Sequence, residues 1–130
     1  MTTLSTTSTD SLLRLAMRAD AVLSGLAGIA LIVAAGPLSG FTGFPRAAEY
    51  GIGIAFVGYG IVVFLAAGLH RVRAAGIATM AANLLFTVAA VLVVLRVDLT
   101  TAGVVAVLAS GVYTLVFADL QYLGVRRIRA

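Results

Sequence analysis

Four stretches of this chain, residues 21–45, 50–69, 74–95 and 99–118, contain no charged residue. Each reaches the roughly 20 apolar residues that a helix needs to cross a hydrocarbon core about 30 Å thick. The segments between them are too short to be domains. A soluble helical core would need a polar face on each helix, and the middle stretches have none from end to end. With 62% hydrophobic and 11% charged residues and a mean hydropathy of +1.12, the chain lies outside the range of soluble domains. The expected fold is therefore all-α. It is a four-helix transmembrane bundle, up-down-up-down, with helices at about 12–36, 47–69, 74–95 and 99–126 in one domain spanning 12–130.

The boundaries follow from local chemistry. Residues 1–11 are rich in Ser and Thr and offer nothing to bury, which predicts a flexible cytoplasmic tail. Asp10 or Ser11 can cap the first helix by accepting its free N–H groups. Residues 21–35 alone are too short to span, so the turns from Leu12 to Asp20 must contribute, and Gly36-Pro37 is expected to end the helix. The arginines, apolar run and small residues near the start resemble a signal peptide, but Asp20 and Pro37 argue against cleavage. Residues 38–45 form the longest connection. His70 to Arg73 and Arg96 to Asp98 read as tight turns, and Asp98 or Thr100 can cap the last helix. Gly51, Gly53, Gly58 and Gly60 on the second helix would let another backbone approach closely.

Orientation comes from the arginines, which supply all nine basic residues. Arg14, Arg18, Arg71, Arg73, Arg126, Arg127 and Arg129 fall on one side; Arg46 and Arg96 fall on the other. Seven against two places both termini in the cytoplasm. The two halves share a layout but no residue-level repeat, so an inverted-repeat transporter is not supported.

Ionisable groups inside a membrane are costly, about 2.5–3.5 kcal/mol for Asp at a helix centre and less near the ends. Asp20 and Asp119 qualify, both expected in the cytoplasmic half, with Asn83 at comparable depth. Neither acid has a cation on its own helix face. Partners must then come from other helices, with Arg18, Arg71, Arg73 and Arg126 as the candidates. The expectation is a polar cluster of Asp20, Asn83 and Asp119 that either fixes helix register or binds a proton or cation.

Other chemistry is excluded more readily. Cysteine is absent, so disulfides and thiolate metal sites cannot form. The lone His70 leaves no second histidine for bis-histidine haem. No nucleophile–base pair, phosphate loop or metal-ligand spacing is present, so neither an enzyme nor a cofactor is expected. In so apolar a chain the arginines serve topology and lipid headgroups rather than nucleic acid.

The segment from Leu13-Arg14 to Asp20-Ala21, the Gly36-Pro37-Leu38 exit, Asn83-Leu84-Leu85, and the close from Leu120-Gln121 to Arg126-Arg127 resemble one known group. These are small four-helix integral membrane proteins of actinobacteria, most of them uncharacterised. The resemblance implies topology and a bacterial inner (plasma) membrane location rather than an activity. Small multidrug-resistance exporters have similar size, but their mid-helix glutamate has no counterpart in residues 24–33, and their tryptophans are missing. The function expected from sequence is a non-catalytic accessory or interaction subunit acting through helix packing. Its partners would be the lipid bilayer and a homo-oligomer or larger membrane complex. The alternative is a small transporter of protons or small cations using Asp20, Asn83 and Asp119.

Overall fold

The computed structural model describes residues 2–128, with side chains from Thr9 onward. Arg129, counted above among the terminal arginines, lies outside the described residues. Five helices follow one another: α1 (Thr2–Val33), α2 (Ala35–Thr42), α3 (Arg46–Ala66), α4 (Arg73–Arg96) and α5 (Thr101–Arg127). Four of them, all but α2, are long and apolar enough to cross a membrane.

Two local differences from the sequence reading have simple causes. The backbone is already helical from Thr2, where a tail and an Asp10 or Ser11 cap were expected. Asp10 instead pairs with Arg14 one turn later, at 2.9 Å. The second difference is α2. Pro37 has no N–H to bond the Val33 carbonyl, so α1 ends there. A proline is tolerated in the first turn of a helix, however, because its N–H would go unused. The Gly36-Pro37 segment therefore opens a short fifth helix rather than a loop. That helix stops at Gly43, whose φ of 88° is left-handed, with its N–H donating to the Ser39 carbonyl at 3.0 Å.

The last helix is capped by Thr100, whose hydroxyl accepts from the Gly103 N–H at 3.0 Å. The Thr100 N–H donates to the Thr42 carbonyl at 3.1 Å, which ties the start of α5 to the end of α2. At the opposite end, Arg14 donates to the carbonyls of Ala67 and Leu69, each at 2.7 Å, and of His70 at 3.2 Å. A guanidinium there satisfies carbonyls that have no helical partner and meets the negative end of the α3 dipole.

Packing proceeds through α1, which lies against α3 and α5, while α5 lies against α4; α3 and α4 meet only slightly. Along α1 and α3 the paired positions run in opposite numerical order: Gly28 against Gly53, Ala21 against Gly60, Arg14 against Ala67. A Cβ on Gly53 would sit 2.8 Å from the Gly28 carbonyl oxygen, and one on Gly60 would sit 2.6 Å from that of Ala21. These two glycines are the helix-packing positions expected from sequence. Gly51 and Gly58 are not, because a Cβ at either would meet nothing within 4 Å. They are two residues away on α3 from Gly53 and Gly60, about 200° around the helix.

The distribution of polarity is inverted relative to a water-soluble bundle. Val33 and Leu85 are 81% and 71% exposed, whereas Asp20 and Gln121 are 0% exposed. Aliphatic side chains cover the outside, and polar groups find their partners within, as a hydrocarbon solvent requires.

Candidate functional site

Asp20 is positioned by the same close packing. It sits one residue before Ala21, where the α1 and α3 backbones approach across Gly60, and on the α1 face that carries buried Leu13, Ala16 and Met17. The face continues at spacings of three and four, so Asp20 must point inward. Inside, its carboxylate is met by all four long helices.

Five side chains donate to it. Ser24 Oγ, one turn along α1, and Tyr113 Oη from α5 reach Oδ1 at 3.1 and 2.9 Å. Tyr59 Oη from α3, Asn83 Nδ2 from α4 and Gln121 Nε2 from α5 reach Oδ2 at 2.6, 2.9 and 3.1 Å. Asn83 Nδ2 also donates to Gln121 Oε1 at 3.0 Å and to Tyr59 Oη at 3.2 Å. Each hydrogen bond to a charged group contributes about 1.5–3 kcal/mol. Several together offset the insertion cost of one Asp, about 2.5–3.5 kcal/mol at a helix centre. Every donor is neutral.

That last point corrects the expected charge partners. Arg18, Arg71, Arg73 and Arg126 are exposed, and none pairs with Asp20; among the described residues the ion pair is Arg14–Asp10. Arg126 lies over the Tyr122 ring, 5.7 Å from its centroid. The expected cluster is corrected too. Asp20 and Asn83 meet, but Asp119 is exposed. The buried stripe of α5 runs through Thr114, Ala118, Gln121 and Val125, and Asp119 lies about 100° off Ala118.

On the far side of four of the Asp20 donors, Ser24, Tyr59, Asn83 and Tyr113, is a cavity of about 550 Å³ to which all four long helices contribute; Asp20 itself does not line it. Its walls are mainly apolar, including Leu23, Phe56 and Phe86, and its polar lining is Ser24, Tyr59, Asn83, Ser110, Tyr113 and Thr114. A second cavity of about 290 Å³ shares Phe56, Phe86 and Ser110 with the first and extends to Thr42 and Glu49. The Phe56 and Phe86 rings, with centroids 5.6 Å apart, therefore stand between the two. Glu49 is 2% exposed and accepts from Thr42 Oγ1 at 2.6 Å.

Sequence reasoning passed over Tyr59, Tyr113 and Glu49 as site residues. Ser24 and Gln121 were visible as polar residues on their helices, and the spacing of four between Asp20 and Ser24 carried a signal. The tyrosines carried none, because a mid-helix tyrosine reads as packing until its hydroxyl partner is known. No protein-family model, curated protein or solved structure matches this chain, so its function is read from the geometry around Asp20.

Proposed function

We propose that this chain is a small membrane transporter of protons or small cations in which Asp20 is the binding carboxylate. The supporting observation is a fully buried carboxylate held only by neutral donors, four of which, Ser24, Tyr59, Asn83 and Tyr113, also line a 550 Å³ cavity. A purely structural carboxylate would be served as well by a solid interior. The cavity brings open space against four of the five groups that hold the carboxylate. In this reading the four long helices cross the bilayer up-down-up-down, a course supported by the opposed numbering of α1 against α3. Both termini face the cytoplasm of a bacterial plasma membrane, supported by the arginine bias. No catalytic role is proposed.

The test is flux into liposomes carrying the purified protein and an internal pH-sensitive dye. Asp20→Asn abolishes protein-dependent flux in this reading, and Asp119→Asn leaves it intact. Equal flux from wild type and Asp20→Asn sinks it.

A second reading has one observation in its favour. Gly51 and Gly58, one heptad apart on α3, have nothing within 4 Å and leave bare backbone at the protein's surface, as an accessory subunit packing on another membrane protein would require. Native mass spectrometry from host membranes decides it: a stable complex with a larger protein supports the accessory role, and a lone chain removes it.

A further inference from the structure

We propose that the cavity lined by the Asp20 donors takes an organic monocation, a protonated amine with a compact apolar body, and that a proton on Asp20 competes with it. The proposal rests on the transport reading above and names its substrate class.

Every hydroxyl hydrogen lining the cavity is already committed. Those of Ser24, Tyr59 and Tyr113 go to the Asp20 carboxylate. That of Ser110 goes to the Val107 carbonyl at 2.7 Å. Thr114 is engaged with the Gly111 carbonyl at 2.9 Å and with Thr87 Oγ1 at 2.7 Å. The two Asn83 amide hydrogens are shared among Asp20, Gln121 and Tyr59. What the cavity has left to offer is oxygen lone pairs, and those of the tyrosines are polarised by the carboxylate behind them. A hydroxyl whose hydrogen is committed can only accept.

That surface selects a ligand. An anion finds no donor and a buried negative charge nearby. A hard metal cation needs about six or more oxygen ligands, which walls of Leu23, Ala27, Phe56 and Phe86 do not provide. An ammonium group donates to the phenolic oxygens and feels the Asp20 charge, while its hydrocarbon part fills the apolar remainder and the aromatic faces.

The proton enters by the same geometry. Oδ2 faces two amides, Asn83 and Gln121, whose N–H groups cannot become acceptors, and the Tyr59 hydroxyl, which can. Oδ1 faces two hydroxyls, Ser24 and Tyr113, which can. A proton arriving from water is therefore accommodated on either oxygen by donating to one of these three hydroxyls, whose own hydrogen must turn away from Asp20. The carboxyl is then neutral and the floor of the cavity has regained a donor, so both attractions for an ammonium are lost. One positive charge replaces another. The other groups facing Asp20 do not interfere. Among the described residues α3 and α5 bring the phenols Tyr59 and Tyr113 against it, α4 brings the amide Asn83, and Arg14 on α1 is held by Asp10 and the end of α3. Arg18 and Asp119 are exposed.

The experiment is calorimetric titration of the full-length protein in detergent micelles with phenethylammonium across a pH series, and with 2-phenylethanol as its neutral counterpart. Expected is binding of the ammonium, with the alcohol about tenfold weaker or worse. Affinity should fall about tenfold per pH unit once acidification loads the carboxyl, as one proton competes for one site. Tyr113→Phe, which removes one cavity oxygen while keeping the ring, weakens the ammonium about tenfold and the alcohol, whose hydrogen bond carries no charge, less. Asp20→Asn, if it folds, loses the pH dependence. Equal binding of amine and alcohol, or pH-independent affinity in the wild type, overturns the proposal. Asp20-dependent proton flux without ammonium binding overturns the substrate class alone. Ammonium binding without flux supports the substrate class and removes the transport reading.

Discussion

Asn83 Nδ2 lies 2.9 Å from Asp20 Oδ2 and 3.0 Å from Gln121 Oε1, so one buried amide joins α4 to α1 through the carboxylate and to α5 through a second amide. Asn83 is 3% exposed. Removing it leaves Asp20 with one donor fewer and Gln121 Oε1 without this partner. Asn83→Leu is expected to lower unfolding free energy by about 1–3 kcal/mol, the cost of an unsatisfied buried group. Asp119→Asn, at an exposed position, is expected to stay within about 0.5 kcal/mol. Thermal unfolding in one detergent compares them.

The α1–α3 seam makes a second distinction. A Cβ at Gly60 would lie 2.6 Å from the Ala21 carbonyl oxygen and 3.2 Å from Gly25 backbone atoms, whereas Gly58 opens to empty space. Gly60→Val is expected to force the helices apart at a cost of about 1–3 kcal/mol or more, and to displace Asp20 from Tyr59 because Ala21 is its neighbour. Gly58→Val is expected to fold with the thermal midpoint of the wild type. A Gly60→Val protein as stable as the wild type would contradict the seam.

The spans were legible in the sequence because length and hydropathy are additive properties of a stretch, and four charge-free runs of spanning length leave little choice. Asp20 was legible as well: a carboxylate beside a spanning run is costly enough to demand an explanation. Asp119 was misplaced because α5 is apolar on every side, so nothing along the helix marks which face is buried; only contact with α1 and α4 turns Gln121 inward and Asp119 out. The same ambiguity hid the difference between Gly53 and Gly51. For α2, a proline signals the end of one helix and the first turn of another alike, and the tie between the Thr100 N–H and the Thr42 carbonyl belongs to tertiary structure.

Arg14 is expected to hold the turn after α3. It donates to the carbonyls of Ala67, Leu69 and His70 and pairs with Asp10. Arg14→Ala should speed amide hydrogen exchange in residues 67–73 about tenfold or more, since one lost charge-assisted bond of about 1.5–3 kcal/mol suffices for that. Exchange in the middle of α5 should be unaffected. Uniform acceleration across the chain would instead mean global destabilisation.

The orientation has its own check, made easier by a chain with no cysteine. With seven arginines proposed inside and two outside, His70→Cys should resist a membrane-impermeant maleimide applied to intact cells, and Asp98→Cys should react. Both positions are exposed in the connections between long helices. Reaction at residue 70 and protection at residue 98 would invert the topology.

The most direct measurement of the central claim is proton flux through liposomes carrying wild-type protein, Asp20→Asn or Asp119→Asn at equal density, each first shown to be folded by its thermal transition. Both acids lie on predominantly apolar helices, but only Asp20 is held by side chains that line the cavity. The account requires flux from wild type and Asp119→Asn and none above protein-free liposomes from Asp20→Asn. Flux in a folded Asp20→Asn protein equal to that of the wild type would contradict it.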